Sequence, residues 1–314
     1  MNFRTVGTLG AMTLAMSFGA VAQSTWYPSK WGPNDEIGSA NYMTPALALQ
    51  ASKLITTGKV YSLGITVNTT TPAYPPRTCS IYIVQPGQQG ASEGLGPTKT
   101  TYNDDILNCW NGIGTQLDGL GHIGVGERYY NGNKWQDFAN IGGLKKLSTD
   151  KVPPFVSRGV VLDMAAHYGV DVVKEGTAFN KAEIEAVAKK QGIEIRQGDV
   201  VLFHTGWLSL IEKDPKRFGS VEPGLGREGA RYLLSKGVVA VGADTWGLEA
   251  IPFEPGAGVF EVHQILLPMG GTYILENVNT AELVKDKAWE FMFVLGHNKY
   301  QGAVQAMINP VAIR

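Results

Sequence analysis

The chain has 314 residues, with 27 Lys+Arg against 28 Asp+Glu, and its formal charge of −1 leaves no electrostatic footprint for nucleic acid or an anionic membrane. Hydrophobic residues at 44% and charged ones at 18% exclude a disordered, coiled-coil or collagen-like chain. Two Cys exclude a disulfide-built scaffold and the multi-Cys zinc modules, and five His, at 122, 167, 204, 263 and 297, confine any imidazole chemistry to those positions.

Residues 1–22 read as a cleaved signal peptide. Arg4 supplies one positive charge, Val6 to Val21 is uncharged and mostly apolar or small, and Ala20-Val21-Ala22 fits the small-residue cleavage rule before Gln23. The stretch is shorter than the roughly 20 apolar residues of a spanning helix and is broken by Gly, Thr and Ser. A periplasmic or secreted protein is expected, with no membrane partner after cleavage and one domain over 23–314. In an oxidising compartment Cys79 and Cys109 either pair or stay as two buried thiols, and the sequence does not choose.

Thr44-Pro45 followed by Ala46-Leu47-Ala48-Leu49 predicts an N-capped short helix with Pro in its first turn. Val60 to Val67 has strand character, and the Gly/Pro/Gln/Ser-rich segment 85–100 reads as a long surface loop. Val160-Val161-Leu162 is a short apolar run typical of a buried strand. Asn180, with Glu183 three residues on, opens a helix that buries Ile184, Val187 and Ala188. Val200 to Phe203 predicts a second buried strand, Arg227 to Lys236 a helix stopped by Gly237, and Val238 to Val241 a third strand. Ile265 to Gly271 reads as a helix end and tight turn, and Tyr273-Ile274-Leu275 as a strand delivering Glu276. Such alternation predicts an α/β protein.

Gly119-Leu120-Gly121-His122-Ile123-Gly124 matches G-x-G-x-x-G, but a strand and turn follow it where dinucleotide binding needs a helix. There is no G-x-S-x-G, H-E-x-x-H, C-x-x-C or P-loop. What remains is Gln116-Leu117-Asp118-Gly119-Leu120-Gly121-His122. In an extended stretch the even spacing of 116, 118 and 122 turns an amide, a carboxylate and an imidazole to one face, a set suited to a divalent metal and proton transfer. The same residues also fit a Gly-rich turn with Asp118 capping backbone N–H groups. A second cluster is Glu261-Val262-His263 with Glu276-Asn277, where a carboxylate behind an apolar strand requires a partner. Asp163 and Asp244 also follow short apolar strands, at the ends where open α/β sheets bind ligands.

The pattern resembles the putative cyclase family, which includes bacterial kynurenine formamidase, isatin hydrolase and trans-dienelactone hydrolase. The resemblance runs through Trp31 to Asn41, Gly114 to His122, Arg158 to Asp163, Gly198 to Trp207, Asp244-Thr245, His263, Glu276-Asn277 and Asn309-Pro310. The family motif H-x-G-T-H-x-D-x-P-x-H departs here at both metal-binding histidines, which become Gly112 and Gln116, and Leu120 stands at the Pro position; Asp118 and His122 match. The resemblance implies a swivelling β/β/α domain, homodimeric or homotetrameric, holding one divalent metal, zinc or manganese. Its ligands are expected to be Asp118, His263 and Glu276, with Gln116 as a fourth and His122 as general base and acid. The expected reaction is hydrolysis of a small lactone or cyclic amide, or of an aryl formamide, with Trp31, Trp207, Asp244 and Trp246 binding the substrate. A lyase, isomerase or cyclase on the same scaffold, or a metal-free small-molecule binding protein, are the alternatives.

Overall fold

The computed structural model describes residues 26–88 and 94–314; the expected signal peptide lies outside them. We label the strands β1 Val60–Ser62, β2 Cys79–Ile83, β3 Asp105–Cys109, β4 Gln116–Asp118, β5 Phe155–Asp163, β6 Val200–His204, β7 Ala240–Ala243, β8 Tyr273–Glu276, β9 Glu290–Leu295, β10 Gln305–Met307 and β11 Val311–Ile313. Nine of these form one mixed sheet in the order β1-β11-β9-β5-β6-β7-β8-β4-β10. Its centre, β5-β6-β7-β8, is parallel, and every other pairing in it is antiparallel. The parallel strands are short and apolar because both their faces are covered: Val160, Val161, Leu162, Val200 to Phe203 and Ala240 to Ala243 are buried.

The helices form where local signals agree. Pro45–Ser52 (α1) is capped by Thr44, whose hydroxyl accepts from the Leu47 N–H, and it packs on β5. Lys181–Gln191 (α2) opens with a reciprocal capping box between Asn180 and Glu183 and buries Ile184, Val187 and Ala188. Arg227–Lys236 (α3) ends at Gly237 in the left-handed conformation and packs against α2. Glu261–Gln264 (α4) runs on through a π-helical turn to Met269, and this compact connection delivers the chain to β8.

Two elements differ from the sequence expectation. β1 stops at Ser62: Leu63 still donates to the Pro310 carbonyl, but the N–H groups after it leave the ladder, Gly64 donating to the Asn309 side chain and Ile65 to the Thr115 hydroxyl. β7 begins two residues late, at Ala240, where parallel pairing with Val200 starts. Segment 85–100 is the expected surface loop over its described residues, 89–93 lying outside them, and it joins the strands of an antiparallel hairpin, β2–β3. A lone two-stranded hairpin is marginal in water. This one is closed at its base by a Cys79–Cys109 disulfide between directly paired residues, a type of crosslink that typically contributes about 2–4 kcal/mol.

Candidate metal centre and substrate pocket

The site is built where the parallel sheet turns antiparallel. In the β8–β4 register Glu276 lies opposite Gln116 and Ile274 opposite Asp118, and in the β4–β10 register Gln305 lies opposite Asp118. Residues 116 and 118 share one face of β4, so two carboxylates and two amides meet on one buried platform. Gln116 Nε2 donates to Glu276 Oε2 at 2.6 Å and to Asp118 Oδ1 at 3.3 Å. Gln305 Nε2 donates to Asp118 Oδ1 at 2.6 Å. Gln116, the expected fourth metal ligand, thus stands beside the two carboxylates as a donor to both. Two neighbouring carboxylates need donors, and Gln116 turns its N–H2 to them instead of an oxygen.

His263 reaches the platform from α4. Its Nδ1 is 2.6 Å from Glu249 Oε1, and Glu249 also accepts from the backbone N–H groups of Val262 and His263. That fixes the ring and turns Nε2 to Glu276 Oε1, at 3.3 Å, and to Asp118 Oδ2, at 3.8 Å. Burial opposes charge on His263, but the hydrogen bonds to Glu249 and Glu276 outweigh it and the pKa is pushed up to about 10. Burial, with Asp118 alongside, raises Glu276 to about 7. His122 was expected to share an extended face with 116 and 118. The strand instead ends at Asp118, and a turn, with the His122 N–H donating to the Gly119 carbonyl, brings its Nε2 to 3.9 Å from Asp118 Oδ2. Burial lowers the His122 pKa, and Asp118 opposes this.

These residues fit a divalent cation. One ligand atom from each of Asp118, His263 and Glu276 lies within 4.8 Å of the others. Asp118 Oδ2 is buried without a hydrogen-bond partner although its sister oxygen has two donors. The Glu249–His263 pair is the carboxylate–imidazole arrangement that orients a metal-ligating histidine.

Above the cluster is a cavity of about 140 Å³, lined by His122, His263 and Glu276 and walled by Tyr74, Trp246, Phe260, Ile123, Gly247 and Arg77. Trp246 was an expected substrate residue and stands in this wall, with Tyr74 stacked on it at 5.7 Å. The other three expected substrate residues lie elsewhere. Trp207 is fully buried behind this wall, in the core cluster that also holds Trp246, and donates Nε1–H to the Phe218 carbonyl. Asp244 is buried and saturated by the Thr205 N–H, the Thr205 hydroxyl and the Gly206 N–H, so it braces a turn. Trp31 lines a different cavity with Lys30, Tyr42 and Tyr130. Sequence reasoning missed Glu249, Gln305, Arg77 and Glu222. Glu222 is buried, its carboxyl pushed well up by burial, and it accepts from the N–H groups of Trp246 and Gly247, fixing that wall. A turn-region glutamate 14 residues before a candidate ligand is the only sequence signal for Glu249, and Gln305 has none.

Three comparisons bear on this geometry. The model of the family described as Putative cyclase matches residues 61–250. A crystal structure of a novel cyclase is similar at 30% identity and a TM-score of 0.82, covering 91% of this chain and 98% of its own. Isatin hydrolase A from Ralstonia solanacearum shares the fold at 19% identity and a TM-score of 0.63, covering 87% of this chain and 98% of its own. A potential metal-dependent hydrolase with cyclase activity shares it at 18% identity and a TM-score of 0.53, over 81% of this chain and 98% of its own. A comparison with curated protein sequences finds no match. The family match over more than half the chain, with a 30% identical relative along nearly all of it, means that this chain belongs to the cyclase family.

Proposed function

We propose that the protein is a hydrolase that uses one divalent metal to open a small lactone or cyclic amide or to cleave an aryl formamide. The observation that carries this reading is the convergence of Asp118, His263 and Glu276, with an unpartnered Asp118 oxygen, beneath an aromatic-walled cavity that His122 also lines. Hydrolases and a cyclase among proteins of similar fold support the reaction class. Asp118, His263 and Glu276 would hold the ion, and this mixed O/N donor set suits zinc or manganese. When bound, such an ion polarises the substrate carbonyl and lowers the pKa of water towards about 7.

The protein's own groups do the rest. Glu249 keeps His263 in one orientation, while Gln116 and Gln305 hold the two carboxylates in place by donating to them. His122, neutral at pH 7 because burial lowers its pKa, accepts a proton from the attacking water and returns it to the leaving amine or alkoxide. Tyr74, Trp246 and Phe260 give a flat ring one aromatic wall to pack against and exclude solvent.

Export to the periplasm or beyond is supported by the signal-like residues 1–22 and the Cys79–Cys109 disulfide. Assembly as a homodimer or homotetramer is supported by the apolar side chains exposed on the β2–β3 hairpin.

Elemental mass spectrometry of the mature protein tests the central claim. About one zinc or manganese per chain is expected, lost in Asp118→Ala and His263→Ala. No metal, with none taken up on reconstitution, would favour a metal-free lyase or a binding protein.

A further inference from the structure

Arg77 is a cation that the proposed chemistry leaves unused. It lines the cavity beside His122 and Glu276, yet among the described residues it forms no salt bridge. Its one side-chain hydrogen bond there runs from Nη1 to the Gly112 carbonyl at 2.9 Å. A guanidinium offers five N–H donors, so most of its capacity is unspent. Gly112 makes room for it: a Cβ at 112 would stand 2.6 Å from Arg77 Nη1 and 2.8 Å from Cζ.

The mounting is rigid. The Arg77 N–H donates to the Tyr74 carbonyl at 3.0 Å, and the Tyr74 ring is stacked on Trp246. Two residues after Arg77, Cys79 is crosslinked to Cys109, three residues before Gly112, so the disulfide ties the segment carrying the cation to the segment carrying its acceptor. A positive group fixed in a mainly apolar wall, with donors free, is a receptor for an anion.

We infer that Arg77 is the anion-binding residue of this pocket and that the substrate is a flat unsaturated ring bearing a carboxylate, held with its charge at Arg77. The inference rests on the proposed function in taking this cavity as the one that receives the substrate.

Binding is read without turnover, so failure of the hydrolase reading in the metal or activity assays is a separate result. Benzoate and its neutral isostere benzamide are titrated calorimetrically into the mature protein, with and without prior chelation, in wild type, Arg77→Gln and Arg77→Lys. The wild type is expected to prefer benzoate by at least about tenfold, as one charge-assisted contact supplies. Arg77→Gln should lose that preference while keeping benzamide binding and melting temperature, and Arg77→Lys should recover part of it. No benzoate binding at its solubility limit, equal binding of the two probes, or a preference that survives Arg77→Gln overturns the inference; a preference that survives there and vanishes on chelation assigns the anion to the metal. Should Arg77→Gln fail to fold, the guanidinium Nε–H resonance of Arg77, identified as the one missing from the Arg77→Lys spectrum, decides. A shift with benzoate and none with benzamide supports the inference, and no shift with benzoate overturns it.

Discussion

His122 stands between an apolar wall, which opposes its charge, and Asp118, which favours it, and burial has the larger effect. Its imidazole should therefore titrate below 6.5 in metal-free protein. Asp118→Asn should lower it further, because the opposing attraction is lost. Ring-labelled NMR titration reads both directions, and an upward shift in the variant would contradict this account of the site. The sign for function follows: a base must be unprotonated, so His122 is competent at neutral pH and is lost to protonation only in acid. His122→Ala should leave metal content intact and abolish turnover. It coordinates nothing in the Asp118, His263 and Glu276 set, so a variant that lost its metal would mean that the set is drawn wrongly.

At the scale of elements, the site depends on a strand pair and a one-turn helix joined by side chains. Glu249 caps α4 through two backbone N–H groups and holds the His263 ring with the same carboxylate. Glu249→Gln keeps the shape but weakens the pull on Nδ1 and permits a turned ring. Metal affinity should fall about 10- to 100-fold, the usual cost of a lost outer partner, while the circular dichroism spectrum stays unchanged. Competition with a chromogenic chelator measures this; unchanged affinity would show that His263 needs no orienting group. Asp163 and Asp244 show what strand ends otherwise do. Asp163 accepts from the Ala166 N–H and starts a short helix, and Asp244 saturates a turn. Only the end of β8, where antiparallel β4 joins the parallel sheet, brings a second carboxylate alongside the first.

Across the whole molecule, the β2–β3 hairpin is the feature a lone chain explains least. Ile81, Tyr82, Ile83, Ile106 and Leu107 are each about half exposed. Apolar side chains gathered on one projecting hairpin are the mark of a surface that another protein covers. In a homo-oligomer, Ile81→Lys combined with Ile106→Lys should shift the protein towards monomer in size-exclusion chromatography with light scattering, with the disulfide still formed. A wild type that is already monomeric would end the oligomer proposal.

The sequence by itself determined the elements whose signals are local. The capping box of α2, the glycine stop of α3 and the continuous apolar runs of β5, β6 and β8 each depend on residues within a few positions of one another, so tertiary packing had little left to decide. Asp118, His122, His263 and Glu276 were legible as candidates because their residue types and the family motif name them. The partners of those residues were not. Gln305 meets Asp118 across 187 positions through β-strand register, and Arg77 faces the site through a crosslink whose existence the sequence left open. Trp207 and Trp246 read alike in the sequence and pack in one core cluster, yet only Trp246 also faces the cavity. Residue type tells what a side chain can do; which side of a packed layer it faces is decided by register and burial, and those are properties of the assembled sheet.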